Sequence, residues 1–280
     1  MRLASGQLDE IAFGVRRLVA HNPGFMTGPG TNTYLVGVNR CVAIDPGPAD
    51  PRHIERILDE AEERLDGVLV THTHPDHSPA AAMLAKASGA AVMGRLPPTD
   101  GRQDATFAPT RILNDGDGVR VGTLKLRALH TPGHASNHLC FLLESEGLLF
   151  TGDHLMQGST VVIAPPDGNM KHYLESLARL QREPVKRIAP GHGEVIEDAQ
   201  AEIARIIAHR LQREGKVVER LRAAGRASVE ALVGSVYDDV DSCLHPLAKS
   251  SLLAHLLKLE EDGRAARESA AASAVWWIKN

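Results

Sequence analysis

Cysteine is scarce in this chain of 280 residues, with only Cys41, Cys140 and Cys243, set far apart and without a Cys-x-x-Cys pair. That spacing argues against a disulfide framework and a thiolate zinc site, and it fits a reducing compartment. Long apolar runs are missing as well: no stretch approaches the ~18 apolar residues of a membrane span. Met1 to Ala20 mixes Asp9, Glu10, Arg16 and Arg17 among its apolar residues, so it never forms a signal-peptide core. A cytoplasmic protein without a membrane partner is expected. Charge of one sign is also lacking, since 31 basic and 35 acidic residues leave a net −4, whereas a protein that coats a polyanion is usually basic. With 43% hydrophobic residues, the chain is long enough for one large domain, or one plus a small appendage, around a substantial core.

What is present is histidine in a dense cluster. Thr71-His72-Thr73-His74-Pro75-Asp76-His77 follows directly on the apolar run Gly67-Val68-Leu69-Val70. Such a run ending in a polar loop reads as a buried strand, and strand alternation would put His72 and His74 on one face, about 6 to 7 Å apart. Two imidazoles so placed can bind one metal ion. Asp76 and His77 fall in the turn before a helix expected from Ser78 to about Ser88, where they could hold a second ion. A lone histidine at a strand end is usually structural, satisfied by a backbone carbonyl. Four metal-competent side chains packed together without a cation would instead compete for partners at a cost.

Up to residue 198 short β-like runs alternate with helical patterns. Thr33 to Val38 and Arg40 to Ile44 read as a hairpin, and Pro51 to Leu65 as an amphipathic helix capped by Asp50. Further strands are expected at Ala90 to Met93, Val119 to Val121, Thr123 to Leu129, Ser136 to Glu144 and Gly147 to Phe150, and the Pro- and Gly-containing loop from Arg95 to Thr106 is a candidate substrate lid. This mixture points to an α/β sandwich in a domain spanning 1–198. From Ala199 the sequence becomes helix-forming. Residues 205–226 carry seven basic against two acidic side chains, read first as a solvated helix face, while residues 1–198 carry 19 basic and 24 acidic ones. Helices expected at Ser228 to Tyr237 and Pro246 to Glu261, followed by a β-like run at Val275 to Ile278, suggest a small C-terminal winged-helix-like α-helical domain over 199–280. Such a domain either binds nucleic acid or only packs or dimerises, so a homodimer is compatible with it and the oligomeric state stays open.

Three more strand ends carry ligand-type residues beside a glycine: His130-Thr131-Pro132-Gly133-His134, Thr151-Gly152-Asp153-His154 and Pro190-Gly191-His192-Gly193. Glycine permits the tight turn that brings a side chain to a metal, and four such loops on one sheet rim can converge on one site. The order and spacing of these segments, with the His-x-His-x-Asp-His motif at 72–77, resemble the metallo-β-lactamase superfamily and its αββα sandwich. The resemblance implies that His72, His74 and His134 bind a first metal, that Asp76, His77 and His192 bind a second, and that Asp153 bridges both. It gives Asp45 the role of a supporting aspartate that holds the ligand loops. Two Zn²⁺ per chain suit five imidazoles and two carboxylates, and Mn²⁺ or Fe²⁺ also tolerate such a set. A hydroxide bridging the two ions would then be the nucleophile, with Asp76 orienting it and relaying its proton.

Three departures narrow the subclass. A bridging aspartate is not the pattern of the true β-lactamases, so antibiotic hydrolysis is not expected. Only 38 residues separate Asp153 from His192, too few for the inserted domain of RNase J and the cleavage-factor nucleases. Nor is a long RNase Z arm evident. Asn22-Pro23-Gly24, Gly30 to Val36, Asn137-His138 and the Leu-Leu-x-His-Leu-x-Lys-Leu-Glu pattern at Leu252 to Glu260 are similar to the β-lactamase-like protein 2 group, whose members include endoribonucleases acting on single-stranded RNA. The expectation is a dinuclear zinc hydrolase of single-stranded RNA, or of a small thioester, ester or lactone in the manner of glyoxalase II. A nucleic-acid-binding or scaffold protein with a structural metal site is the third reading, and iron-dependent persulfide oxidation a fourth. Around the metals, His138 either contacts substrate or is satisfied in the strand it begins, and His130 packs under its loop. His154 is placed to support Asp153, and Ser159, Thr160 and His172 are candidate pocket residues.

Overall fold

The computed structural model describes residues 3–62, 64–271 and 273–279. One sheet runs in chain order through β1 (Leu8–Ala12), β2 (Val15–Val19), β3 (Asn32–Val36), β4 (Cys41–Ile44), β5 (Leu65–Leu69), β6 (Ala91–Gly94) and β7 (Arg111–Ile112). Its first four strands are antiparallel and the rest parallel. The second sheet contains β8 (Gly118–Val121), β9 (Leu124–His130), β10 (Leu139–Leu143), β11 (Leu148–Gly152) and β12 (Arg187–Pro190), ordered β12-β11-β10-β9-β8. Three of the parallel crossovers are made by α1 (Pro51–Ala61), α2 (Ala80–Ser88) and α3 (Met170–Leu180), and a loop makes the one from β6 to β7.

Three layers of apolar side chains explain the stacking. Tyr34, Leu69, Phe141 and Phe150 are buried between the two sheets, each contributing roughly 1.5–3 kcal/mol by leaving water. Ile54, Ile57 and Leu84 seal α1 and α2 onto the first sheet, and Tyr173, Leu177 and Ile188 seal α3 onto the second. This is the expected αββα sandwich.

A C-terminal unit follows, with α4 (Ala199–Ala224), β13 (Ala227–Ser228), α5 (Val229–Val236), α6 (His245–Glu261), β14 (Ala265–Arg267) and β15 (Val275–Ile278). Its sheet is ordered β13-β15-β14, and its own core includes Val233, Leu252, Leu256 and Trp276. This is the winged-helix domain the helical pattern suggested. The change of character at Ala199 falls at the first residue of α4, which Asp198 caps, and that helix serves both cores: Ile203 and Ile206 pack with α3, Val217 and Leu221 with α5 and α6.

Several boundaries differ from the sequence reading. The helix expected to reach Leu65 stops at Ala61, because Glu62 turns left-handed (φ 49°) and Leu65 pairs in parallel with Cys41. Leu65 fits the helical spacing, but Gly67 behind it belongs to the strand. Strands β1 and β2 escape notice because Arg17, although buried, carries charge; Asp9 and Glu194 pair with it at 2.8 and 3.0 Å. Among the described residues no helix is long and apolar enough to cross a membrane.

Candidate metal centre

β5 ends at Leu69, so His72 and His74 lie on the loop beyond it and not on strand faces. The loop is nevertheless rigidly held. Thr71 donates its N–H to Asp45 Oδ1 at 2.7 Å, its carbonyl accepts from Leu139 at 2.7 Å, and the Thr73 carbonyl accepts from Asp104 at 2.7 Å. The ligand-type loops come from the rims of both sheets, not one: β5 supplies residues 72–77, and the loop after β9 and the ends of β11 and β12 supply His134, Asp153 and His192.

Seven side chains converge in two groups, His72, His74, His134 and Asp153 in one and Asp76, His77 and His192 in the other. Proton accounting shows what the first group requires. Thr71 Oγ1 donates to Asp45 Oδ2 at 2.7 Å, so it can only accept from His72 Nδ1 at 3.0 Å. His134 Nδ1 donates to the Val162 carbonyl at 2.8 Å. In the neutral rings the Nε2 atoms of both His72 and His134 therefore carry lone pairs, and both point at His74 Nδ1, at 2.8 and 3.0 Å. His74 has at most one proton there, so at least one of the two buried lone pairs is left without a donor. Burial and the surrounding imidazoles drive the His72 pKa well below its usual range and that of His74 to about 3, so added protons do not resolve the conflict. A cation does.

The second group has the opposite electrostatics. His192 Nε2 lies 3.2 Å from Asp76 Oδ2 and 3.3 Å from Asp153 Oδ1, and His77 Nε2 lies 3.3 Å from Asp153 Oδ1. Burial lowers the pKa of both imidazoles, but the carboxylates outweigh it and raise them. Without a cation, protons occupy the place between these groups. Backbone space is matched to the cluster: a Cβ at Gly191 would sit 2.8 Å from both Asp153 Oδ1 and His77 Cε1, and one at Gly152 (φ 44°) would collide with Thr71.

Residues 26–192 match the family described as the metallo-beta-lactamase superfamily, and residues 228–276 match the beta-lactamase associated winged helix domain. The chain belongs to the metallo-β-lactamase superfamily. Like other members, it is a hydrolase. It is 32% identical to an atrochrysone carboxyl ACP thioesterase of Aspergillus novofumigatus, over 91% of this chain and 81% of that one. It is also 32% identical to the beta-lactamase-like protein 2 homolog of Drosophila melanogaster, over 92% and 91%. In fold it is similar to a beta-lactamase domain protein from Burkholderia ambifaria, with a TM-score of 0.82 and 23% identity over 100% of this chain and 95% of that one.

Around the superfamily cluster, Asp45 accepts from Thr71 and, at 2.9 Å, from His77 Nδ1, so this left-handed residue (φ 50°) ties the two ends of the 71–77 loop together. His138 does not reach the cleft. It stacks under His72, with ring centroids 5.0 Å apart, and shares a hydrogen bond with Thr131 Oγ1 at 3.1 Å. His154 is wholly buried between His138 and Tyr173, and its pKa falls to about 3 through burial and the neighbouring His134. His130 donates Nε2–H to the Ser136 carbonyl at 3.0 Å, under its loop.

The cleft over the cluster measures about 280 Å³, and its walls include Met26, Met156, Val161 and Val162. Asp76 and His134 open onto it, and Ser159 lines the neighbouring mouth beside His192. His172 is the correction: it sits exposed on α3, because Asn169 caps that helix through the His172 N–H and its side chain turns to solvent. Missed by sequence reading were Met26 and the Met156–Val162 strap, which carry no polar signature. The loop expected as a lid forms one wall of the cleft, where Gln103 accepts from Thr73 and donates to Asp167, while Ser78 bonds Asp104.

Proposed function

We propose that this chain is a dinuclear zinc hydrolase whose substrate is an acyl thioester. The observation that carries this reading is the pair of His72 and His134 lone pairs converging on His74, beside a carboxylate-flanked second group, at the floor of a compact, largely apolar cleft. Five imidazole nitrogens and two carboxylates suit zinc. His72, His74 and His134 would hold one ion, Asp76, His77 and His192 the other, with Asp153 between them. When bound, the ions supply the Lewis acidity that polarises a carbonyl and makes hydroxide available near neutral pH.

The chain's own residues do the rest. Asp76 alone of the second group combines a cleft-facing carboxylate with no structural hydrogen bond beyond that to His192. Burial raises its pKa, but His77 and His192 hold it below the usual range, so it is ionised and able to take a proton from attacking water at Oδ2 and return it to the leaving sulfur. Met26, Met156 and the two valines exclude bulk water from the acyl group.

Thioesterase-named relatives over most of the chain support this choice. The distribution of charge supports it over RNA: Arg205 pairs with Glu202, Arg213 with Asp239, Lys216 with Asp238 and Arg226 with Glu268, so the basic run of α4 offers few free cations. Three unpaired cysteines support a cytoplasmic location. The test is metal analysis of purified protein together with parallel assays on acyl thioesters, lactones and single-stranded RNA. About two zinc ions per chain and thioester turnover lost in Asp76→Asn are expected; turnover of RNA alone would reject the substrate class.

A further inference from the structure

A second cavity of about 250 Å³ lies between the catalytic domain and the winged-helix domain. It adjoins the cleft over the cluster, with Met26, Met156, Val161 and Val162 lining both. Phe25, Val240, Leu244 and Leu247 make its outer walls apolar, with Phe25 73% exposed at the mouth.

Its floor is polar and unsatisfied. Arg210, only 3% exposed, donates Nη2–H to the Val161 carbonyl at 2.5 Å, but its Nε has no partner and, among the described residues, no carboxylate forms an ion pair with it. The Tyr173 ring, 5.4 Å away, offsets part of that charge. Next to it, the Tyr237 hydroxyl is buried without a partner, and so is His209 Nδ1. Every other buried arginine here, Arg17 and Arg213, is matched by a carboxylate. An unpaired buried cation is costly, and a negatively charged ligand atom is what removes that cost.

We infer that this interdomain cavity is a substrate subsite that receives an oxyanion on an apolar or aromatic arm, held by Arg210 and Tyr237 while the scissile thioester lies over the metal cluster. The inference rests on the thioesterase reading and names the substrate class: an acyl thioester whose acyl part carries a carboxylate remote from the thioester. The phosphate of a thiol leaving group offers the same oxyanion chemistry.

Calorimetry on the metal-loaded protein tests this with 2-naphthoate, 2-naphthyl phosphate and 2-naphthylmethanol, which share one ring and differ in charge. A charge-assisted hydrogen bond predicts that at least one anion binds about 10- to 100-fold more tightly than the alcohol. The stronger of the two anions identifies the arm as acyl carboxylate or leaving-group phosphate. Arg210→Met should erase that preference. Leu247→Glu, at the rim where folding is not at stake, should erase it as well by placing a carboxylate in the cavity. Equal binding of anion and alcohol overturns the inference, and so does a preference that survives both variants, because the anion then sits on the metals. Failure of the hydrolase reading would appear separately, as absent turnover of every thioester, with the calorimetric comparison still valid.

Discussion

The Asp45 carboxylate holds the His77 imidazole at 2.9 Å through Nδ1 while its two oxygens also accept the N–H and hydroxyl of Thr71 at 2.7 Å. One buried carboxylate thereby fixes the tautomer of His77 and, through Thr71 and His72 Nδ1, that of His72 too.

Asp45→Asn tests this coupling cleanly, because asparagine tolerates the left-handed backbone at φ 50° and only the charge and acceptor pattern change. Loss of a partner that orients a metal ligand typically weakens metal affinity about 10- to 100-fold. We expect that loss in a chelator competition titration. Unchanged affinity would separate Asp45 from the site.

Asp76→Asn should reduce thioester hydrolysis about 10²- to 10⁴-fold, the usual range for a general base. The urea midpoint of the metal-free protein should stay near that of the wild type, since the Asp76 carboxylate bonds no backbone group and its nearest polar partner is His192 at 3.2 Å. An activity loss that tracks instability would reject its role as proton carrier.

Gly191→Ala isolates steric fit. The residue does not need a left-handed backbone, so the added methyl acts through its 2.8 Å approach to Asp153 and His77 and its 3.0 Å approach to the Gly152 backbone. Overpacking of this kind costs about 1–3 kcal/mol, and the metal-loaded protein should lose both stability and zinc. Full occupancy with two ions would show that the cluster has room to spare.

His53 should make the protein acid-labile. Burial holds its pKa near 4 against 6.5 when exposed, with Nε2 donating to Thr33 Oγ1 at 2.8 Å. The unfolded chain therefore binds the extra proton, and stability is full above pH 6.5 and falls as pH drops from 6.5 toward 4. At pH 5 this one group should account for about 2 kcal/mol. His53→Gln should flatten the pH dependence of the urea midpoint by that amount, and identical slopes in the two proteins would discount the assignment.

Binding of a single-stranded RNA 20-mer should depend weakly on salt. Neutralising 6 to 10 phosphates on a single strand gives slopes of about −4 to −7 in log affinity against log salt. With most of the α4 cations already paired and Arg210 buried, anisotropy titrations should give a slope shallower than about −2. A steep slope would return α4 to the RNA-binding reading.

Much of the metal cluster was legible in the sequence because its first half is local. Six residues of one loop place His72, His74, Asp76 and His77 together, and glycine beside each remaining ligand marks a turn that no larger residue fits. The αββα layers were legible for the same reason: strand and helix periodicities depend on neighbours along the chain. The short N-terminal strands were not, because Arg17 is tolerated inside only when Asp9 and Glu194 arrive to pair with it.

What tertiary structure alone decided is everything that depends on partners distant in sequence. The seven basic residues between Arg205 and Arg226 look like an open cationic stripe until folding brings Asp238, Asp239 and Glu268 to them. Arg210 looks like one more of that stripe, yet it is buried against Val161, 49 residues away, without a carboxylate of its own. Sequence fixes which side chains can bind a metal, since that is a property of donor atoms and local spacing. Whether a charge is spent on a neighbour or left to meet a ligand depends on burial and distance, and those exist only in the folded chain.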